Sequence, residues 1–274
     1  MRDLLESIRQ RRARPARLPD FLCVGAQKAG TTTLHDLLRR HPGAYVPERK
    51  ETHFFSRHFD QSLAWYARHF ATAQTGQSIG EVTPYYLFHP AAPARIAARL
   101  PLARVIVLLR DPVDRALSGY FHAQRHGMEP LPIDAAFAAE AGRLSDAERG
   151  LETPGVRNFA HEWHGYVARS RYDVQLARYR SLFPAAQLLL VRSEDLFTDP
   201  APVWTRIQAF LGLRASGLPP TLPHSNPGAG AVATVASALR QRLRARLQPT
   251  YEALSREYGM TWAQPGLPAM ADAP

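Results

Sequence analysis

A glycine-containing loop between an apolar segment and a helical one constrains this fold more than any other stretch of the chain. The loop reads Gly-Ala-Gln-Lys-Ala-Gly-Thr-Thr from Gly25 to Thr32, and it follows the apolar run that begins at Phe21. Its glycines let the backbone turn tightly and bring N–H groups to a ligand, while the following helix directs its positive end to the same point. The pattern predicts a buried strand, a phosphate-binding loop and a helix, in that order. A strand-to-helix turn without a ligand is the alternative.

The rest of the chain extends this unit into an α/β domain. Short apolar runs alternate with helical patterns, which is typical of a mainly parallel β-sheet flanked by helices. Strands are predicted at residues 21–25, 78–82, 104–109 and 187–191. Helices are predicted at residues 31–41, 62–70, 91–100, 112–125, 135–147, 172–183 and 201–211. Two more are predicted in the last forty residues, the first of them carrying Arg240, Arg242, Arg244 and Arg246. We therefore expect a single P-loop-like domain.

The boundaries of this domain are expected at residues 20 and 264. Residues 1–19 form a basic arm with six arginines and without the apolar segment of a secretory signal, and an organellar targeting peptide is the alternative. Residues 265–274 are expected to be a disordered tail. A loop rich in proline and glycine near residues 218–230 is the other loose stretch.

The positive charge of the chain favours an anionic ligand. The formal net charge is +10, and all but two of the 34 basic residues are arginine. The two lysines are Lys28, inside the loop, and Lys50, directly before the Glu51-Thr-His53 segment. Lysine supplies a compact charge on a flexible stem, whereas arginine supplies a planar fork. Two lysines in such an arginine-rich chain, each inside a motif, therefore indicate a specific role.

Composition excludes several classes of site. The one cysteine, Cys23, lies in an apolar run and is expected to be a small buried hydrophobic residue, so neither a disulfide nor a cysteine-based metal site is predicted. The eleven histidines lack the spacing of a zinc motif. No apolar stretch approaches the roughly eighteen residues of a membrane span. A reducing, cytoplasmic compartment is the expected location.

Three stretches, taken together and in this order, resemble the sulfotransferases that use 3′-phosphoadenosine 5′-phosphosulfate (PAPS). Residues 25–34 are similar to the family's 5′-phosphosulfate loop, residues 50–55 to the segment with its catalytic base, and residues 105–120 to its 3′-phosphate motif. A weaker similarity runs from residue 172 to residue 212. The heparan-sulfate-type branch and its soluble bacterial relatives resemble the chain most. The resemblance implies PAPS as donor, 3′-phosphoadenosine 5′-phosphate (PAP) as product, no metal ion, and a bacterial cytoplasmic enzyme.

The resemblance also implies which residues bind the donor. In the loop they are Gln27, Lys28, Ala29, Gly30, Thr31 and Thr32. Arg110 directly follows a predicted strand, where its fork can bind the 3′-phosphate with Ser118 of the next helix. A salt bridge of Arg110 with Asp111 or Asp114 is the alternative.

Catalytic roles fall on three residues. The resemblance implies Glu51 as the base that takes a proton from the acceptor, and His53 as an assisting group. Because Glu51 precedes the pair Phe54-Phe55, we expect an apolar wall that raises its pKa. Lys28 is expected to stabilise the negative charge that grows on the oxygen bridging sulfur and phosphate.

Two departures from the family pattern bear on the acceptor. A lysine that often follows the glutamate of a Glu-Lys-Thr stretch is Val82 here, and the family's Lys-Gly-Arg loop corresponds to residues 224–228 without a lysine or arginine. We expect Ser225 and Asn226 to help close the donor site instead. A carbohydrate or glycosylated small molecule is the favoured acceptor, and the choice of hydroxyl or amine and the oligomeric state stay open.

Two other functions are possible from the sequence. A nucleotide kinase or triphosphatase is disfavoured, because Thr31 stands where that class has a lysine and no strand ends in a well-placed aspartate for magnesium. A non-catalytic module that binds polyanions would use the positive charge alone. Nucleic acid is not an expected partner, since no basic motif interleaved with aromatic residues occurs.

Overall fold

A computed structural model describes residues 17–222 and 229–262 of the chain. Within them a five-stranded sheet has the order β2-β3-β1-β4-β5, and every neighbouring pair is parallel. The strands are β1 (Phe21–Gly25), β2 (Ala44–Tyr45), β3 (Ser78–Val82), β4 (Arg104–Leu109) and β5 (Leu188–Arg192). The first four residues of β1 are 0% exposed, which suits its central place in a sheet covered on both faces.

Helices flank the sheet and connect its strands. Those of the described residues are α1 (Thr31–Arg40), α2 (Leu63–Ala67), α3 (Tyr85–Phe88), α4 (Ala92–Arg99), α5 (Pro112–Arg125), α6 (Ile133–Leu144), α7 (Phe159–Trp163), α8 (Tyr172–Arg180), α9 (Ser193–Thr198), α10 (Pro200–Leu211), α11 (Ala229–Ala233) and α12 (Ser237–Tyr258). Short 3-10 turns occur at Arg68–Phe70, Ala168–Ser170 and Ala185–Gln187. Parallel strands need such crossovers.

The predicted α/β architecture is confirmed, with two local differences. The two-residue strand β2 lacks a sequence signal of its own. The prediction of two helices in the last forty residues is wrong for the part that the structure describes, because α12 continues through Pro249. Leu247 and Tyr251, on either side of this proline, are both buried, so packing holds the helix together where proline removes one hydrogen bond.

The structure describes Cys23 and the last residues of the predicted basic arm, but not the chain ends. Cys23 is 0% exposed, and burial raises its pKa to about 12, as expected for a buried thiol. Arg17, the last arginine of the predicted arm, donates to the carbonyls of Gln74 and Gln77. Residues 1–16, the predicted tail 265–274, and Ser225 with Asn226 lie outside the described residues.

Close contacts between strands bring two motifs together. Phe21 of β1 lies beside Gly80 of β3, where a Cβ atom would stand 2.0 Å from the phenyl ring, so only glycine fits. On the other side, the Ala26 N–H donates to the Leu108 carbonyl at 2.6 Å. The loop after β1 is thereby attached to β4, and Arg110, two residues further on, lies next to the loop.

Candidate active site

A cavity of about 470 Å³ is lined by residues that directly follow β1, β3, β4 and β5, the edge at which parallel sheets bind ligands. Its walls include the sequence-predicted residues Gln27, Lys28, Gly30, Thr31, Thr32, Glu51 and Arg110. Ala29, His53 and Ser118 do not line it. The structure therefore brings the loop, the guanidinium group and the carboxylate of the predicted site to one cavity.

The loop between β1 and α1 turns on two residues with left-handed backbone. Lys28 has φ 72° and Gly30 has φ 86°. A Cβ atom on Gly30 would lie 3.0 Å from the Phe197 ring. Glycine therefore permits both the positive φ and the close approach of this ring. Gly30 caps α1 without a side-chain acceptor, an arrangement that suits an anion at the helix N-terminus. Ala29 is 0% exposed and its N–H donates to the Ala26 carbonyl, so this residue stabilises the turn of the loop.

Lys28 lies among other cations. Burial, followed by the charges of Arg125, Arg110 and Lys50, lowers the pKa of Lys28 from 10.5 to about 8. Within the described ranges its ammonium group forms no hydrogen bond or ion pair. An unpaired ammonium group that lies among other cations favours an anionic ligand.

Arg110 holds its guanidinium group beside the loop. Its Nη1 donates to the Lys28 carbonyl at 3.5 Å, and its Nη2 lies 3.7 Å from Asp114 Oδ2. The alternative salt bridge is therefore present, but it is long, and Asp114 binds Arg240 more closely at 2.8 Å. The Arg110 fork can still bind a phosphate.

Ser118 carries a hydroxyl group that is buried without a partner. The residue is 1% exposed, and its Oγ forms no hydrogen bond within the part of the chain described. It lies one helical turn from both Asp114 and His122, which line the cavity. An unsatisfied buried hydroxyl costs free energy, so a ligand oxygen at this position would relieve it.

Residues 51–53, the base turn, have an unusual backbone. Glu51 has φ 69° and His53 has φ 55°, conformations that are costly outside glycine and concentrate at functional sites. Both carboxylate oxygens of Glu51 have partners: Lys50 Nζ lies 3.3 Å from Oε1, and His53 Nε2 lies 3.2 Å from Oε2. The other ring nitrogen of His53 is 3.2 Å from Ser56 Oγ, which orients the ring.

The expected direction of the Glu51 pKa is wrong. Burial raises this pKa, but the hydrogen bond with His53 and the charges of Lys50 and His53 outweigh burial and lower it from 4.5 to about 2. The two phenylalanines pack into the core instead of forming a wall, since Phe54 stacks on Tyr66 at 4.3 Å and Phe55 is 0% exposed. Glu51 is ionised and weakly basic in this arrangement.

Behind the base turn, the buried carboxylate of Glu81 accepts from four hydroxyl groups. Its Oε1 accepts from Thr83 at 2.6 Å, from Tyr86 at 2.7 Å and from Thr52, and its Oε2 accepts from Tyr66. Because Thr52 is the middle residue of the base turn, Glu81 fixes the turn from β3. Sequence reasoning missed this role, since no local pattern marks a carboxylate whose partner lies 29 residues away.

Three more residues in or next to the cavity were not assigned from the sequence. Lys50 contacts both the loop and the base turn, and the rarity of lysine was its signal. Arg169, 5% exposed, donates to Gln27 Oε1 at 2.9 Å, and nothing distinguishes it among so many arginines. His122 has its pKa lowered to about 4 by burial and then by the charge of Lys28.

The structure also bears on the departure at Val82, on metal binding and on membrane spans. Val82 is 2% exposed at the end of β3, so no cation reaches the cavity from that position. No group of three or more histidine, cysteine or acidic side chains is arranged to hold a metal ion in the described ranges. No helix in the same ranges is both long and apolar enough to cross a membrane.

Comparison with known proteins identifies the family. The family described as "Sulfotransferase domain" matches residues 18–226. Heparan sulfate glucosamine 3-O-sulfotransferase 6 of Mus musculus is 35% identical over 199 residues, which cover 72% of this chain and 53% of that protein. Bifunctional heparan sulfate N-deacetylase/N-sulfotransferase 2 of Homo sapiens is 33% identical over 205 residues, which cover 72% of this chain and 22% of that protein. The chain thus spans about a fifth to about a half of these relatives.

A solved structure gives the same result for the fold. The sulfotransferase from Alicyclobacillus acidocaldarius has a TM-score of 0.74 and 28% identity, over 90% of this chain and 98% of that one. The resemblance stated from three short stretches is confirmed over most of the chain. The protein belongs to the sulfotransferase domain family.

Proposed function

We propose that the protein transfers a sulfuryl group from PAPS to a hydroxyl or amino group of an acceptor, without a metal ion. One observation carries this proposal. A phosphate loop with an unpaired lysine ammonium group and a turn with an ionised carboxylate face the same cavity. Sulfuryl transfer needs both an electrostatic site for the leaving phosphate and a group that accepts a proton.

The donor is assigned to the cationic side of the cavity. The 5′-phosphosulfate is held by Lys28 and by the first turn of α1, including Thr31 and Thr32, while Arg110 and Ser118 take the 3′-phosphate. The unpartnered hydroxyl group of Ser118 and the loosely paired fork of Arg110 support the second assignment. The roles of Gln27, Ala29 and Gly30 are to form the loop, and those of Ser225 and Asn226 stay predictions.

The chemistry is divided between the two sides. The acceptor oxygen or nitrogen attacks sulfur in line and passes its proton to Glu51, which His53 orients. The bond from sulfur to the 5′-phosphate oxygen breaks, and the electron pair stays on that oxygen, beside Lys28. Preorganised cations stabilise this charge without reorganisation at the moment of reaction.

A carbohydrate is the proposed acceptor class, supported by the names of the heparan sulfate enzymes to which the chain is similar. Those names include both 3-O- and N-sulfotransferases, so they leave the atom that is sulfated open. The domain bounds 20–264 and a bacterial, cytoplasmic setting remain predictions of the sequence.

Thermal unfolding with different nucleotides tests the proposal. At a fixed concentration, a ligand that binds the folded state raises the melting temperature more the more tightly it binds, so we expect stabilisation by PAP and little by ATP with magnesium. Incubation with PAPS and a panel of heparan-type oligosaccharides should then yield PAP and a sulfated product. Stabilisation by ATP and magnesium alone would favour a kinase or triphosphatase, and salt-sensitive binding of polyanions without any turnover would favour a binding module.

A further inference from the structure

Lys50 lies between the phosphate loop and the base turn and contacts both. Its Nζ donates to Thr31 Oγ1 at 3.2 Å, to Thr32 Oγ1 at 3.3 Å and to Glu51 Oε1 at 3.3 Å. An ammonium group has three N–H bonds and no acceptor, so these contacts use its full capacity. The side chain is 18% exposed and lines the cavity. Lys50 thus joins the two chemical halves of the site.

The contacts with the loop leave the threonine hydroxyl groups ready for a donor. Since an ammonium group can only donate, Thr31 and Thr32 accept from it and keep their own hydrogens for another acceptor. A hydroxyl group that accepts from a cation is polarised and donates more strongly. A sulfonate or phosphate oxygen that accepts from Thr31 or Thr32 would therefore be linked to the Lys50 ammonium group through a single hydroxyl group.

The contact with Glu51 restrains the carboxylate. Burial raises the pKa of Glu51, but His53 and Lys50 together hold it at about 2, whereas a general base works best with a pKa near the working pH. Moving the Lys50 ammonium group away from Oε1 makes the carboxylate more basic. The three contacts of Lys50 are longer than the roughly 2.7–2.9 Å typical of charge-assisted hydrogen bonds, so new negative charge on the loop side can displace it.

We propose that Lys50 is a catalytic residue engaged by the donor, an inference that rests on the proposed sulfuryl transfer. Binding of the phosphosulfate draws its ammonium group from Glu51 toward the sulfonate oxygens. The acceptor atom then bonds to sulfur, its proton passes to Glu51, and the bond from sulfur to the 5′-phosphate oxygen breaks with the electron pair left on that oxygen. Lys50 stays protonated throughout. Glu51 therefore becomes an effective base only when the donor is in place.

The test compares Lys50→Met with Arg49→Met. Arg49 is the neighbouring cation, is exposed and does not line the cavity, so it is a matched control. Calorimetry with PAP measures donor-site binding, and turnover with saturating oligosaccharide gives kcat and kcat/KM for PAPS between about pH 3 and pH 8. A wild-type protein that neither binds PAP nor turns over overturns the proposed function, and this inference with it.

Lys50→Met should lower kcat about 100-fold, the order expected for one charge at a developing anion. PAP binding should weaken no more than about fivefold, since one hydrogen-bonding group is lost. The acidic limb of the profile of kcat/KM for PAPS, which reports the protein before the donor binds, should move to higher pH, because Glu51 loses a cationic neighbour.

Two further variants keep the result decisive. Lys50→Gln should behave like Lys50→Met and replaces it if the methionine variant does not fold, and Lys50→Arg should keep the acidic limb in place. The inference is overturned if the neutral variants keep kcat within about threefold of Arg49→Met, if the acidic limb of kcat/KM for PAPS does not move, or if weaker PAP binding accounts for the whole loss.

Discussion

The donor side and the base side of the cavity are built in different ways. On the donor side, the loop follows β1 and Arg110 follows β4, so its charges come from residues directly after buried strands. On the base side, Glu51 lies on a left-handed turn that Glu81 holds from the sheet through Thr52. Local backbone geometry is enough for the donor side, whereas the base side depends on a tertiary network.

The balance of charge differs as well. The ammonium group of Lys28 has no partner in the described ranges, and the ion pair of Arg110 with Asp114 is 3.7 Å long. By contrast, Glu51 has a partner on each carboxylate oxygen, and Glu81 accepts from hydroxyl groups on both of its own. The donor side is ready to bind an anion, and the base side is arranged to keep its geometry.

Lys28→Ala removes a charge from the donor side and should have the largest effect. Loss of one preorganised donor typically costs about 2.7–4 kcal/mol of barrier, so kcat should fall about 100- to 1,000-fold. PAP binding should stay measurable, because Arg110 and the loop N–H groups remain. Turnover of PAPS and calorimetry with PAP measure the two quantities. Arg40→Ala, at the exposed end of α1, is the control, and turnover equal to that of the control would remove Lys28 from the chemistry.

Glu81→Gln tests the hydrogen-bond network around Glu81 on the base side and should have the next largest effect on kcat. Glutamine keeps the size of the side chain, but its amide group would donate toward hydroxyl groups that already donate, so the contact with Thr52 or Tyr66 is lost. We expect kcat to fall about 10- to 100-fold, since small displacements of a reacting group carry penalties of this order. Calorimetry should show unchanged PAP binding, because none of the hydrogen bonds of the Glu81 side chain goes to the donor loop or to Arg110.

Glu140→Gln is the matched control for this variant. Glu140 is 2% exposed, accepts from the N–H groups of Val167 and Ala168, and does not line the cavity. Both substitutions should lower the free energy of unfolding by about 1–3 kcal/mol, measured by urea denaturation, but only Glu81→Gln should lower kcat. An equal loss of kcat in both variants would mean that Glu81 acts through overall stability.

The same contrast explains how much could be predicted from the sequence. The strands Phe21–Gly25, Ser78–Val82 and Arg104–Leu109 and the helix Pro112–Arg125 have the predicted bounds, because apolar runs and a proline at the helix start are local signals. The donor loop and Arg110 follow directly from two of these strands. In place of the two helices predicted in the last forty residues, the described part has the one long helix α12, in which packing on both sides of Pro249 overrides the local effect of proline.

The base side shows the limit of local reasoning. The sequence places Glu51 beside two phenylalanines, which suggests a raised pKa, yet its pKa is lowered by the partners that the turn provides. That turn has positive φ at Glu51 and His53, which no local pattern predicts for these residue types. The support from Glu81 depends on pairing of distant segments and is likewise invisible before the fold is known.

Ser118→Ala tests one hydrogen bond of the donor side and should have a smaller effect, on PAP binding. The hydroxyl group has no partner within the described residues, so its removal should leave the melting temperature unchanged or slightly raised. PAP binding, measured by calorimetry, should weaken about fivefold to tenfold, which corresponds to about 1–1.4 kcal/mol for one hydrogen bond. Ser181→Ala, an exposed serine, should change neither quantity. Unchanged PAP affinity in Ser118→Ala would exclude a contact with the phosphate.

The pH dependence of PAP binding gives the smallest effect and the most specific test of the donor side. With a pKa of about 8, Lys28 is protonated below pH 8 and increasingly neutral above it, and an anion favours the protonated form. PAP affinity should be full below about pH 7 and fall about threefold as pH rises from about 7 to about 9. His122, with a pKa of about 4, stays neutral over this range. Lys28→Ala should therefore flatten the profile, and an unchanged slope in that variant would assign the titration to another group.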